Sequence, residues 1–320
     1  MSDQIYDIVI VGGGPGGLTA GIYAVRGAMK TVLLEKGVPG GQVMQTDEVE
    51  NYPGFENITG AELSEKFSRH AESYGVEVRN DEVVDLEPGL VFHLVHLADG
   101  KSLKAHSIIL ATGGSPRKLG VPGEKEYYGK GVSYCAVCDG FFFRNKTVLV
   151  VGGGDSAVEE ALYLAKIAKK VFLVHRRDEL RAGMILQKRL KAEKKVEIIW
   201  NSVISEIQAD GQGVSGVALK DVNADEVRDV PVDGVFIFVG FLPNNSLVPK
   251  GTKKTAEGYV VTDDKCETNI PGIFAIGDLR DKYARQIITS ASDGCTAALA
   301  AAHYVSTKKA EAEDDLPANY

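Results

Sequence analysis

A β-branched apolar run from Asp7 to Val11 stops at Gly12-Gly13-Gly14-Pro15-Gly16-Gly17, passes through a helix-compatible stretch from Leu18 to Arg26, and resumes from Thr31 to Leu34. Two short apolar runs joined by a glycine turn and one helix length predict the βαβ unit of a dinucleotide-binding fold. The same order recurs about 140 residues later: Thr147 to Val151 as strand, Gly152-Gly153-Gly154-Asp155-Ser156-Ala157 as turn, Val158 to Lys169 as helix and Val171 to Val174 as strand. Further strands are predicted at Val76 to Arg79, Val91 to Leu97 and Ser107 to Leu110, then at Val196 to Trp200, Val214 to Leu219, Val235 to Val239 and Ile273 to Ile276. An Ala-rich helix is expected from Gln286 to Tyr304, and the polar residues 306–320 read as a frayed tail. Pro- and Gly-bearing stretches at 116–123 and 240–245 bracket the second unit as linkers. The pattern therefore predicts an α/β chain of two Rossmann-like, three-layer dinucleotide-binding domains, the second (117–245) inserted into the first (1–116 and 246–320).

Length agrees with this division, since 320 residues suffice for about two domains. Lys and Arg total 36 against 44 Asp and Glu, and the net charge of -8 argues against nucleic acid or an anionic membrane as a partner. No apolar stretch approaches the roughly 18 residues of a membrane span, and the first residues carry no basic-then-apolar leader, so a cytoplasmic location is expected. Four cysteines are too few for a secreted disulfide scaffold, yet Cys135 and Cys138 form a C-x-x-C pair.

The two glycine turns differ where it matters chemically. Gly12, Gly14 and Gly17 give G-x-G-x-x-G, in which the glycines permit the tight turn, the approach of a pyrophosphate and the packing of helix on strand. Glu35 stands 23 residues after Gly12, where an acceptor for ribose hydroxyls is needed. At the same offset from Gly152 the acid is replaced by His175, with Arg176, Arg177 and Arg181 following. A carboxylate there would repel a 2′-phosphate, whereas guanidinium groups hold one through charge-assisted bonds. The first site thus calls for FAD or NAD and the second for NADP. Lys166 to Lys195 carries 11 Lys or Arg against 3 Asp or Glu, and Lys188, Arg189, Lys191, Lys194 and Lys195 of that run read as a solvated face.

Cys138 lies 14 residues before Gly152, so the pair precedes the first strand of the NADP unit. So short a loop gains little from cross-linking, and structural zinc lacks a second ligand pair, because Cys266 and Cys295 are isolated. Redox chemistry is the favoured reading, with Asp139 as a candidate acid; Asp139-Gly140 also reads as an ordinary turn. A nicotinamide gives up a hydride and a disulfide opens by thiol chemistry, so a flavin is the natural relay, which assigns the first site to FAD. Asp278, following Gly277, suits a polar contact to the ribityl chain, or equally a helix cap.

With these motifs in hand, the chain resembles the low-molecular-weight thioredoxin reductases over nearly its whole length. The resemblance is carried by Gly40-Gly41-Gln42, Glu50-Asn51-Tyr52-Pro53-Gly54, Ala111-Thr112-Gly113, Cys135-Ala136-Val137-Cys138-Asp139-Gly140, His175-Arg176-Arg177-Asp178 and the segment from Gly277-Asp278 to Arg285-Gln286. It implies FAD contacts from Gly14, Pro15, Glu35, Gly41, Gln42, Asn51 and Ala111, and from Asp278, Arg285, Gln286 and Ile287. It implies NADPH contacts from Gly154, Asp155, Ser156, His175, Arg176, Arg177 and Arg181. It further implies that Cys138 faces the flavin, that Cys135 attacks the disulfide of thioredoxin, that Asp139 supplies the proton, and that the enzyme is a homodimer. Because the cysteine pair and the NADPH site share a domain, family resemblance also implies domain rotation about the two linkers. Two other readings stay open on the sequence: a glutaredoxin-like or peroxiredoxin-linked partner, and a flavin redox sensor without turnover.

Overall fold

The structure is a computed structural model that describes residues 5–45, 49–211 and 213–314. From its start the chain forms β1 (Ile5–Val11), α1 (Pro15–Arg26), β2 (Thr31–Leu34), α2 (Gly60–Ser73), β3 (Glu77–Arg79), β4 (Val83–Glu87), β5 (His93–Leu97), β6 (Ser102–Leu110) and β7 (Gly114–Pro116). There follow β8 (Val132–Ser133), α3 (Ala136–Asp139), β9 (Thr147–Val151), α4 (Asp155–Ala165), β10 (Lys170–Val174), α5 (Met184–Ala192), β11 (Val196–Ile199), β12 (Ser202–Ala209), β13 (Val214–Asp221), β14 (Val227–Pro231) and β15 (Gly234–Ile237). The chain then closes with β16 (Phe241–Pro243), β17 (Ile273–Ala275) and α6 (Ile287–Asp314). It divides into two compact units, one of Met1–Ser115 with Leu242–Tyr320 and one of Pro116–Phe241.

In the first unit β3, β2, β1 and β6 lie side by side, β17 joins β6, and the antiparallel β5 and β4 complete seven strands. Successive side chains of a strand point to opposite faces, and β1 shows the result. Ile8 and Ile10 pack with Leu18 of α1 and Ala297, Ala298 and Ala301 of α6, whereas Val9 and Val11 pack with Val95, Leu103, Val248 and Val260. Small residues let α1 and α6 approach closely: a Cβ on Gly294 would run into the Gly16 carbonyl oxygen. The second unit repeats the scheme with a parallel sheet ordered β11, β10, β9, β15, β8. Val148, Val150 and Phe236 pack under α4 and α5, while Leu149, Val151 and Val235 face Ile207, Val217 and Leu219 of the antiparallel sheet β12, β13, β14.

Three expectations need correction. The helices predicted over Leu18 to Arg26 and Val158 to Lys169 each begin three residues earlier, at Pro15 and Asp155, and the second ends at Ala165. Residues 306–314 are helical rather than frayed, because α6 continues through them; residues 315–320 lie outside the described part. Residues 306–311 make an exposed helix surface, with Lys308 paired to Glu311 at 2.8 Å and Lys309 reaching Asp7 at 2.7 Å.

Candidate active site

Both predicted dinucleotide turns end in an uncapped helix. Gly14 and Gly154 are the N-caps of α1 and α4, extended at φ -72° and -94°, and neither helix start has a side-chain cap bond. By contrast, α2 closes its own N-terminus with a capping box between Thr59 and Glu62. Open amide groups at a helix start suit a phosphate, and nothing lies within 4 Å of where a Cβ would stand on Gly14 or Gly154. The turns leave no other choice of residue: a Cβ on Gly12 would strike the Ala111 carbonyl oxygen, one on Gly17 the Gly12 carbonyl oxygen, and one on Gly152 the Phe238 carbonyl at 2.5 Å.

In the first unit the Glu35 carboxylate accepts the Gly13 N–H at 2.7 Å and the Gly37 N–H at 2.8 Å, leaving lone pairs on both oxygens for further donors. Gly41 packs on Gly14, with 3.3 Å from its Cβ position to the Gly14 Cα. The Gln42 side chain donates to the Gly114 carbonyl, the Ala111 N–H continues the β1 ladder to Val11 at 2.8 Å, and Asn51 Nδ2 donates to Gln286 Oε1 at 3.3 Å. Pro15 is the first residue of α1 and Ile287 the first of α6. Asp278 and Arg285 stand out among the described residues, since Oδ1 of the first and Nε of the second are buried without a hydrogen-bond partner. Burial pushes the Asp278 pKa up, opposed by Lys282 and Arg285. An orphaned acceptor and donor of this kind suit a polar ligand, and they fit a hydroxyl-bearing dinucleotide.

The second unit offers a different surface. His175 is only 5% exposed, its ring stacked edge-on to Trp200 and filling the space a Gly153 side chain would need, and its Nε2 is buried without a partner. Burial holds its pKa down, a hydrogen bond with the Glu179 backbone opposes this, and Arg181, Arg177 and Arg176 depress it further. Asp155 Oδ1 is turned to the Gly183 N–H at 2.7 Å, and the Arg181 N–H donates to the Gly153 carbonyl at 2.7 Å. Ser156, Arg176, Arg177 and Arg181 are exposed, and among the described residues none of the three guanidinium groups has an acidic partner. Uncompensated cations beside an open helix start fit a phosphorylated nucleotide.

Cys135 and Cys138 form a disulfide with Cα atoms 5.3 Å apart, Cys135 capping the short α3 and its Sγ accepting the Cys138 N–H at 3.2 Å. Asp139 ends α3, and its Oδ2 accepts the Ser133 hydroxyl at 2.5 Å. Cys266 is buried and Cys295 half-buried, both as free thiols, and burial pushes Cys266 up to about 11. Sequence reasoning missed Ser133, which sits two positions before the first cysteine. It also missed Asp293, a lone acid on the small-residue face of α6 that accepts from the Gly277 N–H at 3.0 Å, Arg280 at 3.0 Å and Lys282 at 2.8 Å. An isolated acid amid alanines and glycines was the available signal.

Two dinucleotide turns with opposite charge preferences and a cysteine disulfide on the same chain define a disulfide oxidoreductase driven by a nicotinamide. A model of the pyridine nucleotide-disulphide oxidoreductase family matches residues 6–298. The chain is 47% identical over 303 residues to a thioredoxin reductase of Bacillus subtilis, covering 95% of this chain and 96% of that one. It is 48% identical over 311 residues to one of Listeria monocytogenes, covering 97% of each. Among solved structures, a thioredoxin reductase from Streptococcus pyogenes matches with a TM-score of 0.92 at 48% identity, over 96% of this chain and 100% of that one. The chain belongs to the pyridine nucleotide-disulphide oxidoreductases and, within them, to the low-molecular-weight thioredoxin reductases. It is an FAD-containing, NADPH-dependent enzyme.

The second unit also carries an unusual acid. Burial, reinforced by Glu159, pushes the Glu160 carboxyl from its ordinary 4.5 up to about 7, and its Oε2 is buried without a partner. The folded state therefore keeps a proton that the unfolded chain releases, and stability falls as pH rises from about 4.5 to about 7. Glu160→Gln copies the protonated form. Calorimetry of the holoenzyme is expected to show Tm raised by about 2–4 °C at pH 8 and unchanged at pH 5; an equal shift at both would exclude titration as the cause.

Proposed function

We propose that this enzyme reduces thioredoxin: NADPH, a proton and thioredoxin disulfide give NADP+ and thioredoxin dithiol. The observation that carries the reading is the Cys135–Cys138 disulfide, set in the unit that holds the arginine-flanked glycine turn. The unit of Met1–Ser115 and Leu242–Tyr320 is the FAD domain and that of Pro116–Phe241 the NADPH domain. Gly12, Gly14, Pro15 and Gly17 would receive the FAD pyrophosphate at the start of α1, Glu35 a ribose, and Asp278 with Arg285 the ribityl and flavin end. Gly41, Gln42, Asn51, Ala111, Gln286 and Ile287 complete that site. Gly152, Gly154, Asp155 and Ser156 would receive the NADPH pyrophosphate, with Arg176, Arg177 and Arg181 on the 2′-phosphate and His175 supporting the turn from below. A homodimer in the cytoplasm is part of the proposal; among the described residues no helix is long and apolar enough to cross a membrane.

Bound FAD supplies the two-electron relay between nicotinamide and disulfide. Once the pair is reduced, the Cys138 N–H aimed at Cys135 Sγ favours the thiolate there. That thiolate attacks the thioredoxin disulfide, whose S–S bond breaks as a mixed disulfide with Cys135 forms, and Asp139 gives a proton to the departing sulfur. The Cys138 thiolate then attacks Cys135 Sγ, restoring the Cys135–Cys138 bond and freeing the second sulfur of thioredoxin.

Anaerobic titration followed in the visible spectrum tests the reading. NADPH is expected to bleach the flavin band at far lower concentration than NADH, and added thioredoxin disulfide to restore it. A flavin bleached by NADPH but not reoxidised by thioredoxin would point to another thiol partner or to a sensor. Asp278→Ala is expected to weaken FAD about 10- to 100-fold, read from the flavin fluorescence released on dilution, because it removes the carboxyl whose buried Oδ1 has no other partner. Unchanged retention would place the ribityl chain elsewhere.

A further inference from the structure

Ser133, the last residue of β8, is 2% exposed, so its hydroxyl is shielded from bulk solvent. Three polar atoms surround its Oγ: Asp139 Oδ2 at 2.5 Å, the Cys135 N–H at 3.0 Å and the Cys135 carbonyl oxygen at 3.2 Å. A hydroxyl has one hydrogen and two lone pairs. The Cys135 N–H can only donate, so it takes one lone pair in every state. One hydrogen and one lone pair remain, facing Asp139 and the Cys135 carbonyl.

These can be arranged in two ways without leaving any group orphaned. With Asp139 ionised, the serine hydrogen points at Oδ2, and the Cys135 carbonyl keeps the Asp139 N–H at 3.1 Å. With Asp139 protonated, the acid's own O–H donates to the remaining lone pair of Oγ, and the serine hydrogen turns to the Cys135 carbonyl. A lysine or arginine in the same place would serve only the ionised carboxylate, and an alanine would serve neither form. An acid that gives up its proton and regains it in every turnover has to be held in both forms.

We propose that Ser133 is the positioning residue for Asp139, holding the carboxyl at one place in both protonation states by rotation of a single hydroxyl and tying it to the backbone of the attacking cysteine. The proposal rests on the reading of Asp139 as proton donor. In that step the Asp139 O–H bond breaks as the S–H bond of the departing thioredoxin sulfur forms, and solvent returns a proton to the carboxylate before the next turnover.

The test is a double-mutant cycle on the holoenzyme, with NADPH and a bacterial thioredoxin disulfide as substrates. Asp139→Asn is expected to lower kcat about 10²-fold, and Ser133→Ala about tenfold with both KM values unchanged. If serine acts through the acid, Ser133→Ala combined with Asp139→Asn is no slower than Asp139→Asn alone. Ser133→Thr, which keeps the hydroxyl, restores most of kcat. NADPH bleaching of the flavin and a cooperative thermal transition above the assay temperature report that each variant is folded. Losses that multiply in the double variant, or a Ser133→Ala effect confined to KM, overturn the role of Ser133 while leaving Asp139 as the acid. A wild-type kcat for Asp139→Asn overturns the reading of Asp139, and the proposal with it.

Discussion

Cys138→Ser is expected to lower thioredoxin turnover by at least about 10³-fold while leaving FAD bound and bleachable by NADPH. Serine keeps the size of the side chain but can neither form the disulfide nor resolve a mixed disulfide on Cys135. The free thiols among the described residues are Cys266, buried with its pKa pushed up to about 11, and Cys295, half-buried on α6, and neither belongs to a C-x-x-C pair. Flavin retention follows because the residues proposed for FAD belong to the other compact unit, with its own core on each face of the β1 sheet. Steady-state turnover together with the anaerobic spectrum separates the two halves of the reaction. Turnover that survives the substitution would remove the Cys135–Cys138 pair from the path of the electrons, and a lost flavin would show that the substitution acts on folding.

Cys135→Ser is informative as the second half of the same comparison. It removes the sulfur that receives the Cys138 N–H at 3.2 Å, and so the thiolate that this bond favours. It is expected to be as inactive with thioredoxin as Cys138→Ser.

What was legible in the sequence was whatever local chemistry forces. The two glycine turns could be read because at Gly12, Gly17 and Gly152 a backbone carbonyl occupies the space a side chain would fill. The strands β1 and β9 could be read because each is buried almost throughout, which leaves an unbroken apolar run. The antiparallel strand β14, largely exposed as Val-Arg-Asp-Val-Pro, offered no such pattern. The helix α2 did carry a signal, Thr59 followed by Glu62, that an apolar-run reading passes over. At the site, the contrast between Glu35 and His175-Arg176-Arg177 was readable because the offset from a glycine turn places those residues. Ser133 and Asp293 were not, because their meaning comes from what folding brings beside them: the Asp139 carboxylate for one, and Gly277, Arg280 and Lys282 for the other.

The Glu35 to His175-Arg176-Arg177 contrast yields the second large effect. Arg176→Ala with Arg177→Ala is expected to lower kcat/KM for NADPH about 10²-fold, while kcat/KM for NADH changes less than about threefold. NADH lacks the 2′-phosphate, so it never uses these charges. Both guanidinium groups are exposed and, among the described residues, have no acidic partner to release, so their removal should cost affinity for the phosphate alone and leave the fold intact. Arg181 differs, because its backbone N–H already holds the Gly153 carbonyl at 2.7 Å; Arg181→Ala keeps that bond and should show a smaller loss, limited to the side-chain charge. Exposure also makes the interaction sensitive to screening, so the KM for NADPH of the parent enzyme should rise with ionic strength more steeply than that of the double variant. Equal losses with NADPH and NADH would instead assign these arginines to the shape of the turn, and the preference for a phosphorylated nicotinamide would have to come from a different group.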